Sequence, residues 1–277
     1  MVGRHVAAEL SRAEMRCTAV DRARWDLRRW ASDEDLDAVF SACDAIVHAG
    51  AAVPSPGRPV PPQDLLDANV RACFCLGDWA RRRGKPIVFV SGATVYATGA
   101  RRAIKETDAT TSRPESGLYG LSKLLAEQLL DSLAEQGLKL CTLRPSSIYG
   151  AGMPETRMVA SMLAKARRGE DLRLVPPVRD RVSLVHAADV ADATVRALKK
   201  EAWGTFNVGG PDAVSIAEIA NACVAVAGRG SVVAPVDEAG AGSLKYELDS
   251  SKAAATFGYS PRIGLEEGLR RTMAGEL

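Results

Sequence analysis

The chain has 277 residues, 47% apolar and 25% charged, with 36 basic against 34 acidic side chains and a formal net charge of +2. That length holds a full core, as one large domain or two small ones, and the balance excludes a disordered chain and gives no reason to expect nucleic acid as a partner. No apolar run approaches a membrane span and no signal segment stands at the start, so the cytoplasm is the expected location and no membrane partner is expected.

In chain order, residues 4–10 read as a helix with no strand before it, and 16–20 as a short strand ending on Asp21. After Trp25-Asp26-Leu27, Ser32 and Asp35 form a capping pair that opens a helix, and 44–48 form a strand running into Ala49-Gly50-Ala51. A proline-rich loop, 54–62, precedes a long helix over 63–83 that Gly84 and Pro86 close. Its Arg81-Arg82-Arg83 run lies at the helix end, where it offsets the dipole. Residues 87–91 and 138–143 are apolar strands of the kind buried on both faces, with an amphipathic helix from Tyr119 to Gly137 between them. Leu121, Leu124, Leu125, Leu129 and Leu133 give that helix its buried face. Beyond Tyr149-Gly150 come a helix over 156–168, a strand at 182–185, a helix over 187–199, a capping box at Ser215 and Glu218, and a small helix after Leu265. The six cysteines show no disulfide or zinc spacing and read as reduced core thiols; the three histidines are scattered, and no metal site is expected. Strand alternating with helix means an α/β fold with a doubly wound parallel sheet.

One pair in this pattern carries chemistry. Tyr119 and Lys123 are four residues apart on a helix, so they share a face, and the ammonium can stabilise a phenolate. A phenol of pKa about 10 must fall by roughly three units to act as a base near neutrality, about 4 kcal/mol at ~1.36 kcal/mol per unit. One solvated lysine does not supply that. A dry cleft, a helix N-terminus and a cationic ring nearby would have to supply the rest. The alternative is that both residues sit on a solvated helix edge.

Taken together with Val2-Gly3-Arg4-His5, Asp26-Leu27, His48-Ala49-Gly50-Ala51, Asn69-Val70, residues 90–96, Leu143-Arg144-Pro145, Tyr149-Gly150, 181–189 and 204–209, the pattern resembles the extended short-chain dehydrogenase/reductase family, also called the NAD-dependent epimerase/dehydratase family. The resemblance implies a Rossmann-like domain over 1–150 with 181–200 returning to it, and a smaller substrate lobe from 151–180 and 201–277. It implies that Gly3 packs the first helix against the sheet and aims its N-terminus at a pyrophosphate. It assigns Asp21 to the adenosine ribose, which favours NAD, while Arg22 beside it would suit the 2′-phosphate of NADP. Asp26 and Leu27 would contact adenine, Ala49, Gly50 and Ala51 would let the backbone approach the cofactor, Asn69 would stand behind the site, and Pro145 would flank the nicotinamide. Tyr119 would transfer the proton and Lys123 would hold the nicotinamide ribose. Arg181 would bind a substrate phosphate, with a surface salt bridge as the alternative.

Two departures stand out. The family's first strand and two earlier glycines are missing, so the strands at 16–20 and 44–48 lack the neighbour they would share, and the chain reads as one that starts late. Four residues before Tyr96, where the family carries a catalytic Ser or Thr, stands Gly92. Thr94 shares a face with position 92 in an extended segment and is expected to substitute; Ser91 points the other way but lies beside the substrate. The implied activity is hydride transfer on a secondary alcohol or ketone, on a nucleotide sugar by an epimerase or dehydratase, in a chain that forms a homodimer. The alternatives are reduction of a small carbonyl compound and a non-catalytic nucleotide-binding relative.

Overall fold

The computed structural model describes residues 1–97, 102–235, 244–245 and 247–277. Its helices are α1 (Val2–Arg12), α2 (Asp33–Phe40), α3 (Pro62–Leu65), α4 (Ala72–Arg82), α5 (Leu118–Ala134), α6 (Met158–Arg167), α7 (Ala187–Lys199), α8 (Ile216–Ala227), α9 (Ser251–Phe257) and α10 (Leu265–Ala274). Its strands are β1 (Ile46–His48), β2 (Ile87–Val90), β3 (Leu140–Pro145), β4 (Ser147–Tyr149), β5 (Leu172–Arg173), β6 (Arg181–His186), β7 (Gly204–Val208), β8 (Ala213–Ser215), β9 (Val232–Val233) and β10 (Leu244–Lys245).

The main sheet runs β1-β2-β3-β7, every pair parallel. β2 and β3 are buried along their length, as uninterrupted apolar runs require in a sheet covered twice. Side chains alternate between the two covers. Ile46, Ile87, Phe89 and Leu140 meet Phe40, Leu76, Trp79 and Leu130 of α2, α4 and α5. Val88, Cys141 and Phe206 meet Val190, Ala193, Ala197 and Phe257 of α7 and α9. α1 lies on α7 through Val6, Leu10, Ala191 and Val195. A second sheet, β10-β6-β4 with β8 on β6, belongs to the other lobe, where α6, α8 and α10 pack around Val159, Leu163, Ile219 and Leu269. The capping boxes at Ser32 with Asp35 and at Ser215 with Glu218 both form.

Several expectations need correction. Residues 16–20 form no strand, and Arg16 to Ala19 lie exposed, Cys17 among them, so that thiol is not in the core. An extended segment needs a neighbour for its N–H and C=O groups, and among the described residues β1 pairs only with β2. The lobe boundary also moves. β7 completes the main sheet, although 204–208 was assigned to the smaller lobe, while β6 sits in the second sheet and only α7 returns to the first. The chain changes sheets at Ser146, whose N–H donates to Val208 O at 3.1 Å between β3 and β4.

The helix over 63–83 divides into α3, a π-helical stretch at Leu66–Arg71, and α4. On α5 the buried residues are Gly120, Ser122, Lys123, Leu124, Ala126, Glu127, Leu130 and Leu133, so Leu124 and Leu133 are buried as expected. Leu129 is exposed, and Leu121 and Leu125 are only partly covered. The leucines run round more than one side of α5, and a buried charged network selects which side faces in. Arg144, at the end of β3, donates from Nη2 to Glu127 Oε2 at 2.6 Å and from Nη1 to the Tyr96 hydroxyl at 3.0 Å. Tyr96 donates to Asn207 Oδ1 at 2.6 Å, and the Asn207 N–H donates to Glu106 Oε1 at 2.7 Å.

Candidate active site

Tyr119 opens α5 and is half-buried; Lys123, one turn on, is buried. Gly117 supplies a left-handed residue before the helix, at φ 60°, and the 114–117 turn folds back over the first helical turn. A Cβ at Gly120 would lie 2.3 Å from Ser116 Oγ and 2.8 Å from Pro114 Cβ, so only glycine admits this approach. The Lys123 ammonium donates to Val90 O at 2.8 Å and stands 4.1 Å above the Phe89 ring. Burial lowers its pKa. Burial also raises the Tyr119 pKa, and the opposing charge comes from Arg157. Lys123, one turn beyond Tyr119 on the same helix, is anchored to the end of β2 through Val90 O.

Ser91, Gly92 and Thr94 follow β2. Gly92 is extended at φ 176°, and a 3-10 turn over Ala93–Val95 follows it, in place of the continuous extended segment expected. The γ-methyl of Thr94 lies 3.9 Å from where a Gly92 Cβ would be, and Pro145 O lies 4.0 Å from that same point. The hydroxyls of Ser91, Thr94 and Ser146 are buried without a protein hydrogen-bond partner. Buried hydroxyls normally find one, and these three lie at the carboxyl ends of β2 and β3, the side of a parallel α/β sheet on which ligands bind.

Asn69, fully buried in the π-helical stretch, holds the loop after β1. Its Oδ1 accepts from the Ala52 N–H at 2.7 Å, and its Nδ2 donates to Ala52 O at 2.9 Å and Ser122 Oγ at 3.0 Å. Ser122 Oγ donates in turn to Tyr119 O at 2.7 Å. Ala49, Gly50 and Ala51 are thereby tied to the first turn of α5. Leu27 leans on this loop, its Cδ1 3.0 Å from the Cβ position of Gly50.

The remaining expected residues are placed differently. Gly3 lies exposed in the first turn of α1, and a Cβ there would meet nothing within 4 Å, so packing against the sheet does not require glycine at that position. Asp21 Oδ1 caps a turn by accepting from the N–H groups of Ala23 and Arg24. Asp26 accepts from Arg22 Nε at 3.1 Å and Arg28 Nη2 at 2.8 Å. Among the described residues Arg181 shows no salt bridge; it donates to Ala213 O on the neighbouring strand. Sequence reasoning missed Glu127, Arg144 and Arg157. A signal existed for two of them: a charge in the apolar strand β3, and a carboxylate one turn beyond Lys123.

The model of the NAD dependent epimerase/dehydratase family matches residues 1–209. The chain is 31% identical over 218 residues to a dTDP-4-dehydro-6-deoxy-D-allose reductase from Streptomyces sp, covering 75% of this chain and 67% of that one. Among solved structures it is similar to UDP-N-acetylglucosamine 4-epimerase from Bacillus cereus, with a TM-score of 0.84 at 24% identity over 98% of this chain and 91% of that one. It is also similar to MoeE5 in complex with UDP-glucose and NAD, with a TM-score of 0.82 at 25% identity over 99% and 94%.

Behind Lys123, the His48 ring stacks on Phe89 and its Nε2 lies 3.1 Å from Cys73 Sγ. Burial, helped by the Lys123 charge, pushes the His48 pKa from 6.5 down to about 3. A depressed folded-state pKa means that stability is intact above 6.5 and is lost as pH falls from there toward 3. Between pH 7 and pH 5 the parent chain should lose about 2 kcal/mol more than His48→Asn, read by urea denaturation at both values. Equal losses in the two proteins would show that His48 is not held neutral.

Proposed function

This chain belongs to the NAD dependent epimerase/dehydratase family, and from that premise we propose that it moves hydride between NAD and the alcohol or ketone carbon of a nucleotide sugar. The reading is supported by Tyr119 and Lys123 lying one turn apart on α5, with Lys123 bonded to Val90 O at the end of β2, and by the buried, unpartnered Thr94 hydroxyl just beyond that strand. Net reduction of a keto sugar, rather than epimerisation or dehydration, is the second reading, favoured by the reductase with 31% identity.

The residues fit the nicotinamide half of a dinucleotide. Lys123 spends one of its three N–H donors on Val90 O, which leaves two for ribose hydroxyls. Ser91 and Thr94 offer buried hydroxyls, and Pro145 flanks the same space. NAD, when bound, supplies the carbon that accepts or returns hydride. The chain handles the proton and the geometry. In the oxidising direction Tyr119 takes the proton of the substrate hydroxyl, and in the reducing direction it returns it to the carbonyl oxygen. Thr94 donates to that oxygen in place of the absent side chain at Gly92. Asn69 keeps the loop after β1 at a fixed distance from the phenol. The family resemblance assigns Asp21 to the adenosine ribose, which favours NAD, with its Oδ1 also accepting from the N–H groups of Ala23 and Arg24, and the Arg22 guanidinium beside it pairs with Asp26. NADP is the alternative cofactor.

The cytoplasm is the location proposed; among the described residues no helix is long and apolar enough to cross a membrane. A second copy of the chain is the proposed partner. A shallow apolar groove lined by Leu66, Val70, Phe74 and Leu129 lies on the outer side of α4 and α5, and its exposed leucines and phenylalanine are better covered than wet.

Tyr119→Phe should lower turnover of a nucleotide-sugar panel with NAD by roughly 100-fold or more while leaving NAD binding in place, measured by nucleotide absorbance and calorimetry. Unchanged turnover would remove the proton-transfer role. Thr94→Val should lower kcat, and adding Gly92→Ser, whose Cβ meets nothing closer than 3.9 Å, should restore it. If Thr94→Val alone turns over as the parent does, Thr94 does not hold the oxygen. Light scattering should give twice the mass of one chain; a single-chain mass retires the homodimer.

A further inference from the structure

Two histidines meet where the lobes join, away from the groups around Tyr119. His5, in the first turn of α1, and His186, which ends β6 and caps α7, are both buried, their ring centres 5.7 Å apart and their planes nearly perpendicular. The Tyr149 ring packs edge-on against His186 at 5.2 Å, and the turn after it lies directly on the pair: a Cβ at Gly150 would stand 3.3 Å from His186 Nε2. Hydrogen bonds fix where each neutral ring carries its proton. His5 Nε2 lies 3.1 Å from Ala151 O, which can only accept, so the proton is on Nε2 and Nδ1 is left as an acceptor. His186 Nδ1 accepts from the Ala188 N–H at 3.2 Å, so its proton is on Nε2 as well. Among the described residues, His5 Nδ1 and His186 Nε2 have no hydrogen-bond partner.

We propose that His5 is a one-proton latch between the lobes, and that a proton taken up at its Nδ1 loosens both the seat of α1 on the 150–152 turn and the first turn of α7. A protonated His5 presents a donor at Nδ1, and the unpartnered nitrogen of His186 in the same cluster already carries a proton. His186 can accept only by moving that proton to Nδ1, and the Ala188 N–H then loses its cap. The added proton thus leaves either a buried donor unpaired or α7 uncapped. The charges that face the pair bring no relief. Met1, Arg4 and Arg12 on α1 and Arg271 on α10 are positive, while Glu9 is paired with Arg12, Glu267 with Arg271, and Asp189 with the N–H groups of Arg262 and Ile263. Burial lowers the His5 pKa and takes that of His186 from 6.5 down to about 4. A depressed folded-state pKa means that the latch is closed above 6.5 and slips as pH falls below it.

Amide hydrogen exchange at Ala188 in the full chain, corrected for its intrinsic pH dependence and read against Leu143 in β3, follows the latch apart from any loosening of the whole fold. From pH 6.5 down toward the lowered His5 midpoint, protection at Ala188 should fall relative to Leu143 by up to about tenfold per pH unit, the slope of one linked proton. His5→Gln, whose amide can still donate to Ala151 O but takes up no proton, should remove the slope, and His5→Asn serves should His5→Gln fail to fold by circular dichroism. His186→Asn, which keeps a capping oxygen for Ala188 and carries no competing proton, should also flatten it. A slope that survives in any of these variants, or that is absent from the parent chain, overturns the proposal. The measurement needs no bound nucleotide and no turnover, so either result leaves the proposed function standing.

Discussion

A guanidinium taken out of water at the end of β3 sets the geometry of everything above it. Arg144 lies buried between Glu127 on α5 and the hydroxyl of Tyr96, and burying such a charge costs several kcal/mol unless each of its donors finds a partner. Glu127 is that partner, which fixes the rotation of α5 about its own axis. Lys123 precedes Glu127 by four residues and Tyr119 precedes it by eight, so the turn that must face Arg144 brings the ammonium and the phenol round to the same side. The arrangement contributes little net stability for its cost, and removing one partner would strand a charge worth about 3–5 kcal/mol. Its contribution is orientation.

The same network explains why the α5 leucines misled. By periodicity alone, Leu121, Leu125 and Leu129 look as good a buried stripe as any, and the helix has enough leucines to satisfy more than one face. Apolar burial stabilises by area and has no direction, whereas an ion pair admits one rotation. The side that faces in therefore carries Ser122, Lys123 and Glu127, and Leu129 is left on the outside.

Much of the rest could be read from residue order. The apolar strands expected at 87–91 and 138–143, which form at Ile87–Val90 and Leu140–Pro145, the capping boxes at Ser32 and Ser215, and the tyrosine and lysine one turn apart on a helix are local signals. What escaped depends on distant partners. Residues 16–20 have the composition of a strand and, among the described residues, no neighbour to pair with. The 204–208 segment joins the main sheet because β3 has an open side there, which no pattern within the segment announces. Arg157 is one arginine among many in the sequence, and only the fold brings it opposite Pro54.

The π-helical stretch at Leu66–Arg71 acts through Asn69, which it aims at Ala52 and Ser122. A widened turn holds one residue more than an α-helical path between the same ends, and each residue of an α-helix advances the face by about 100°. Were the stretch to tighten into ordinary α geometry, the Asn69 amide would swing out of line with Ala52 and Ser122, and the loop behind the phenol would lose its tether. A helical propensity gain in that segment would thus come at the expense of alignment: greater regularity in one turn, and a looser hold on the atoms that meet there.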